Sequence, residues 1–506
     1  MPQSAPAEIS AGLKRGGTRH AGPERDGSAE PVGVDLASAN PRLTGHAHDT
    51  SIKLRPVIGR DAAASPNVGL PPPAPERLPD VHLFHAPDLT GLQDAIESDH
   101  SAMPAQPIDP THPRVAFACE MAALPAKRRI ASDLVAQAQA TGRDLCSAEG
   151  VFFRRQAMQG EVAAVHSGGA AIYQGAGLAL IQAVPSLVNG IRANEVGGHL
   201  AWMKIADCHP SNLDLITSTT FLGLVHANAT RRIGLKPQAA VGLSMGELSA
   251  VIAHGAELQD INSVAAASQA FCEVHLGGES RAVQRYFSRL GVAGTRWVNY
   301  FVLASVEQLL PILATEPAVC VTVRNSPTQV VLGGEEVACR RVVKRFGPQR
   351  ALPLPFSLAI HSPVVRECQD IFRRHFARVA QQNHVMTGGG RNGVRFYSNA
   401  FNAPYHVTPE SFADAFTAQA AMMIDFPATI LRAWEDGVRI FVEHGARGAS
   451  TTAIAETLGD RPHVAVNLDQ FERSGVAQFA DAVALLIAAG VPLDLAALEQ
   501  TAESAA

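Results

Sequence analysis

The chain has 506 residues, 46% hydrophobic and 18% charged, with a formal net charge of −5. This is ordinary for a globular protein with room for roughly two or three folded units, and it offers no basic footprint for nucleic acid. No apolar run approaches the roughly 18–20 residues that a membrane span needs, and Pro, Gly, Asp and Glu stand where a signal peptide would be apolar. The expectation is a cytoplasmic protein with neither nucleic-acid nor membrane partners. Its seven cysteines (Cys119, Cys146, Cys208, Cys272, Cys320, Cys339 and Cys368) lack C-x-x-C spacing and read as reduced core residues rather than a disulfide framework.

Residues 1–79 are rich in Pro, Gly, Ala, Ser and charge, without sustained periodicity. The proline run at 71–75 favours extended structure with no packed core. This stretch is expected to be a disordered extension, with an incidental role and a docking role both open. The next residues alternate strand and helix. Val81, Leu83 and Phe84 lie in a short strand, and Leu89, Leu92 and Ile96 share a helix face. Val115 to Ala118 form a second strand, and Ile130, Leu134 and Ala138 line a helix over 127–141. Together these predict a small α/β unit over 80–158.

A larger α/β region follows. Val162 to Val165 and Ala239 to Val241 read as buried strands, and Val438 to Glu443 as a late one. Short strands and helices over 285–352 suggest an inserted subdomain. Residues 471–506 are expected to hold a helix near 479–489 and then a tail.

Gly242-Leu243-Ser244-Met245-Gly246 fits G-x-S-x-G, with a strand before it and a helix-forming run after it. Such a tight strand-to-helix turn lifts the serine hydroxyl clear of the backbone, and the Met245 N–H can then donate to a developing oxyanion. A serine at neutral pH needs a base. His361 follows an apolar run over 352–360, read as a strand and its exit loop, and catalytic groups gather at strand ends. On the residues alone a surface-loop histidine remains open. Gly168-Gly169-Ala170 follows another strand and lets a backbone N–H approach a ligand closely; a plain turn is the alternative.

Taken in order, these segments resemble the malonyl/acyl-CoA:acyl-carrier-protein transacylases and the acyltransferase domains of polyketide and polyunsaturated fatty-acid synthases. The nucleophile motif G-H-S-x-G-E is matched by Gly242 to Glu247. The G-Q-G loop and the G-M-G after it are matched by Gly168-Gly169-Ala170 and Gly175-Ala176-Gly177. N-S-P is matched by Asn325-Ser326-Pro327, continuing through Val331 to Gly334. H-S-P is matched by His361-Ser362-Pro363, and the late E-x-G strand by Glu443-His444-Gly445.

The resemblance implies an α/β-hydrolase-like large subdomain over 159–281 and 353–470, with a ferredoxin-like small subdomain inserted at 282–352. A small α/β linker domain (80–158) precedes them. It implies Ser244 as nucleophile, His361 as base, and the Gly169 and Met245 amides as oxyanion donors. Substrate-side positions would be Leu243, Gln269 and Asn325. The substrates it implies are acyl-CoA and the phosphopantetheine thiol of an acyl-carrier protein, with other synthase subunits as partners and no bound metal or prosthetic group.

Three departures bear on substrate. Gln269 stands where relatives using malonyl groups carry an arginine for the free carboxylate, so a monocarboxylic acyl group is expected. Leu243 replaces the histidine before the serine, and Gly169 replaces the glutamine of G-Q-G. An acyl hydrolase clearing carrier proteins, and a weakly catalytic synthase scaffold, are the alternative readings.

Overall fold

The computed structural model describes residues 76–169, 171–189, 191, 212–255, 271–292, 296–382 and 393–498. Their fold is mixed α/β, built on three sheets. The first sheet holds β1 (Asp80–His85), β2 (Arg114–Cys119), β3 (Leu145–Cys146) and β4 (Val151–Arg154), antiparallel in the order β1-β2-β4-β3. Helices α1 (Leu89–Glu97) and α2 (Leu124–Thr141) cover one face around Phe84, Phe117 and Phe153. The Asp88 carboxylate caps α1 by accepting from Gly91 N–H at 2.8 Å. Helix α2 begins ahead of the run predicted from residue 127 because Pro125 fits a first helical turn. It stops at Gly142, whose φ of 68° suits glycine.

The large subdomain opens with β5 (Glu161–His166), α3 (Leu178–Ala183), α4 (Asn212–Arg232), β6 (Ala239–Gly242) and α5 (Met245–Gly255). The chain then passes through α6 (Arg281–Arg289), β7 (Trp297–Val302), α7 (Val306–Leu313), β8 (Val319–Ser326), β9 (Gln329–Glu335), α8 (Glu336–Phe346) and β10 (Ala351–Pro353). From β7 onward this is β-α-β-β-α-β with strands in the order β10-β7-β9-β8, the ferredoxin-like arrangement.

The chain returns through α9 (Gln369–Gln382), β11 (Arg395–Ser398), β12 (Ala403–Tyr405), α10 (Pro409–Ala420), β13 (Ile424–Asp425) and α11 (Phe426–Glu435). It ends in β14 (Val438–His444), α12 (Ala449–Leu458), β15 (Val464–Asn467) and α13 (Gly475–Ala488). The central sheet runs β12-β11-β6-β5-β14-β15, parallel throughout except for the antiparallel edge strand β12. Strands β5, β6, β14 and β15 are almost entirely buried while the edge strand β12 is half-buried, and burial on both faces is why β5 and β6 read as continuous apolar runs.

Two features go beyond the sequence reading. Strand β13, from outside the insert, pairs with β8 and joins the small sheet, tying the two subdomains together. Helix α13 is not peripheral: Phe479, Val483 and Leu486 share one core with Leu83 and Phe152 of the first sheet and with Val442 and Val466 of the central one. Burying side chains of this size stabilises by roughly 1.5–3 kcal/mol each, so α13 cements the linker domain to the large subdomain.

Candidate active site

Register sets the site. His166 at the end of β5 lies opposite Gly242 of β6 and opposite His444 of β14. The segments leaving these strands therefore emerge side by side at the carboxyl end of the parallel sheet, where α/β folds bind ligands.

The elbow is dictated by its glycines. A Cβ on Gly242 would lie 2.0 Å from the Gly246 carbonyl carbon, and one on Gly246 would lie 2.2 Å from His166 O. Neither position admits a side chain. Leu243 N–H donates to His166 O at 3.0 Å and Gly246 N–H to Leu243 O at 2.8 Å, closing the turn. Ser244 at its apex has φ of 57°, a conformation costing a non-glycine residue roughly 1–2 kcal/mol. Met245 opens α5, whose first amides have no partner within the helix, so its N–H is available at the turn.

Beneath the elbow, Asn399 braces α5. Its Nδ2 donates to Gly242 O at 2.5 Å and to Glu247 Oε2 at 3.0 Å, and its N–H donates to the same carboxylate oxygen at 3.0 Å. Burial pushes the Glu247 carboxyl up, and the Asn399 bonds draw it back.

Ser244 Oγ lies 2.6 Å from His361 Nε2. The histidine does not end a strand, as the sequence reading expected. Strand β10 stops at Pro353, since Pro353 and Pro355 cannot donate to a ladder, and an extended segment carries the chain on. That segment is held by Leu358 N–H donating to Asn299 Oδ1 (3.0 Å) and Ala359 N–H to Leu276 O (2.8 Å). His361, like Ser244, has φ of 57°.

The chemistry of the histidine follows from its second nitrogen. His361 Nδ1 lies 2.9 Å from the Gln419 carbonyl, an acceptor only, so Nδ1 carries the proton and Nε2 presents its lone pair to Ser244. Gln419 is in the last turn of α10, whose carbonyl end carries partial negative charge that favours an imidazolium. Burial pulls the His361 pKa down to about 4, against the raising effect of the Gln419 carbonyl. The ring is therefore neutral, and basic, at neutral pH.

The loop after β5 completes the edge. Gly168 packs beside the elbow, where a Cβ would come 3.2 Å from Leu243 O, and a Cβ on Gly169 would lie 2.6 Å from Ile216 Cγ1. Ser167 just before them donates to Glu443 Oε1 at 2.7 Å. Glu443 also accepts from Ser450 N–H (3.1 Å) and from Thr451 N–H and Oγ1 (both 2.7 Å), so it joins the loop to the start of α12.

Ser244, His361, Met245 and Gly169 are thus gathered at one edge. Leu243 packs against the core that contains Val323 of β8. Asn325 lies near the end of β8, and among the described residues no hydrogen bond joins it to Ser244 or His361. Gln269 and Ala170 lie outside the described residues.

Sequence reasoning missed four groups. Gln419 acts through its backbone, and Asn399 sits in no recognisable motif. Asp469 accepts from Tyr173 and Gly177 near the β5 loop. The buried histidines His166, His226, His254 and His444 cluster behind the elbow, His166 Nε2 lying 3.1 Å from His254 Nε2. Among the described residues no group of three or more His, Cys, Asp and Glu is arranged to hold a metal ion.

Fold and site together define an α/β protein with a serine–histidine pair on a strand–elbow–helix turn. No family model matches the chain. In sequence it is similar to a polyunsaturated fatty acid synthase subunit from Thraustochytrium sp., with 24% identity over 290 residues, 55% of this chain and 14% of that relative. In structure it is similar to the acyltransferase domain from module 8 of the salinomycin polyketide synthase. That likeness has a TM-score of 0.61 at 17% identity and covers 82% of this chain and 97% of the domain. It is also similar to a malonyl-transacylase solved in complex with its type II polyketide-synthase acyl-carrier protein, with a TM-score of 0.50, 16% identity, and 63% of this chain and 99% of that one covered. These findings bear out the resemblance read from the sequence, and the fold is that of polyketide-synthase acyltransferase domains. The sequence match spans only 14% of the curated relative.

Proposed function

We propose that this chain is an acyltransferase that carries an acyl group on Ser244 from a thioester donor to the phosphopantetheine thiol of an acyl-carrier protein. The observation that carries the proposal is the 2.6 Å contact between Ser244 Oγ and the unprotonated Nε2 of His361 at the carboxyl edge of the parallel sheet. Ser244 Oγ attacks the acyl carbonyl carbon while its proton passes to His361 Nε2. The amides of Gly169 and Met245 hold the oxyanion. Collapse breaks the carbon–sulfur bond, and Nε2 returns the proton to the departing thiol. The acceptor thiol then attacks the Ser244 ester, gives its proton to Nε2, and the serine recovers that proton as the ester bond breaks. No step calls on a metal or prosthetic group.

Gln269 in place of a carboxylate-pairing arginine supports a monocarboxylic acyl group, because a neutral amide leaves a buried carboxylate unpaired. The same replacement suits an acyl hydrolase, in which water takes the place of the acceptor thiol.

Loading with acetyl-CoA and with malonyl-CoA, followed by timed decay of the acyl-enzyme with and without holo acyl-carrier protein, tests both parts. Preferential loading from acetyl-CoA and decay that depends on the carrier support the proposal. Efficient malonyl loading contradicts the substrate assignment, and rapid decay without carrier makes the protein a hydrolase.

A further inference from the structure

The loop that bears the Gly169 amide is fixed at two places. Near its start Ser167 holds Glu443, as described. Farther along, Tyr173 OH donates to Asp469 Oδ1 at 2.7 Å and Gly177 N–H donates to Asp469 Oδ2 at 3.0 Å. Gly169 lies between these attachments, so its amide is strung between two buried carboxylates.

The second attachment is itself rigid. Asp469 follows β15 and is 1% exposed. Asn467 Nδ2 donates to its carbonyl at 2.8 Å, and Gln478 of α13 donates to Asn467 O at 2.8 Å. Arg447 closes the arrangement from the β14–α12 turn. Its guanidinium carbon lies 5.1 Å from the Tyr173 ring centre and 4.9 Å from that of Phe471, and its Nε donates to Ala171 O at 3.0 Å. None of these groups touches Ser244 or His361, so the transfer chemistry leaves them without a role.

We propose that Asp469 is a positioning residue for the Gly169 amide, holding segment 171–177 so that this amide meets the thioester oxygen as it gains charge. The inference rests on the acyl-transfer reading above. Oδ2 of Asp469 accepts from the Gly177 N–H, and Oδ1 from the Arg447 N–H (3.5 Å) as well as the Tyr173 hydroxyl; neither backbone N–H can turn into an acceptor. A proton on Asp469, or an amide in its place, sets donor against donor on one side.

Burial raises the Asp469 carboxyl to about 6; the Tyr173 and Gly177 bonds oppose the rise and the Glu443 carboxylate adds to it. Besides Tyr173, the ionisable groups facing it are the Arg447 guanidinium and the Glu443 carboxylate. Above about pH 6 the attachment is ionised and closed; below it, the attachment is protonated and loosened.

The test is hydrogen exchange of peptide 171–177, read without any acyl donor, beside single-turnover acylation by acetyl-CoA at pH 5 and pH 8. Both are measured on the full chain as wild type, Asp469→Asn and Tyr173→Phe. Asp469→Asn should show low protection at both pH values, each taken relative to the intrinsic exchange rate at that pH, matching the protection of the wild type at pH 5. Acylation at pH 8 should fall about tenfold with unchanged half-saturation by donor. Tyr173→Phe keeps the ring against Arg447 and should give an intermediate exchange rate. Wild-type exchange in Asp469→Asn at pH 8, or faster exchange with an unchanged acylation rate, overturns the inference. A wild type that no donor acylates removes the transfer reading instead, and the exchange result still decides whether Asp469 holds the loop.

Discussion

Ser244 and His361 share a φ of 57° and touch at 2.6 Å, yet the protein holds them by opposite means. The serine is held locally. Gly242 and Gly246 bring backbone against backbone, and five consecutive residues specify the turn. The histidine is held from afar, by the Gln419 carbonyl 58 residues on and by Ser362 N–H donating to Ala420 O at 3.2 Å. A nucleophile must be aimed within a fraction of an ångström, and local sterics do this in a pentapeptide. A base needs only the right tautomer and a small shift on protonation, which one carbonyl at a helix end supplies.

The largest expected effect falls on the distal side. His361→Gln should lower Ser244 acylation roughly 10²–10⁴-fold with little change in melting temperature, because it removes the proton acceptor and leaves the elbow intact. On the local side, Gly246→Ala should cost about 3 kcal/mol of stability by denaturant titration, since its Cβ has no space beside His166 O. Wild-type stability in Gly246→Ala would break the comparison. Asn399→Ala should destabilise by about 2 kcal/mol, because it takes the Nδ2 donor from both the buried Glu247 carboxylate and the Gly242 carbonyl while the backbone N–H stays.

A smaller effect comes from pH. Burial depresses His226 to about 3 and His361 and His444 to about 4, so the unfolded chain takes up protons below pH 6.5 that the folded chain refuses. Their stabilising contribution is complete above pH 6.5 and falls as pH drops, by about 1 kcal/mol per histidine at pH 5.8. The raised carboxyls of Glu247, Glu443 and Asp469 act in the opposite sense and blunt the loss. Chemical denaturation at pH 7.5 and 5.8 measures the balance, and the expected result is lower stability at the acid value.

The same contrast governs what was legible in the sequence. The elbow was readable because its glycines, strand and helix are contiguous. Strands β5 and β6 were readable because burial on both faces leaves uninterrupted apolar runs, whereas β11, β12 and β15 went unread. His361 could be singled out among 19 histidines only through its motif, since the carbonyl that orients it carries no side-chain signature. Its expected strand dissolved because two prolines interrupt the ladder. Asn399 and Asp469 were invisible because their roles exist only once β11 and β15 lie beside the elbow and the β5 loop. Helix α13 was readable as a helix, but its apolar residues gave no clue to the two sheets they join.

The most direct measurement is the intact mass of the protein after incubation with a panel of acyl-CoAs and acyl-carrier proteins, with Ser244→Ala alongside. The account predicts a single acyl adduct on the wild type and none on Ser244→Ala. An adduct that survives in Ser244→Ala, or a wild type that neither gains an adduct nor consumes any donor, would contradict it.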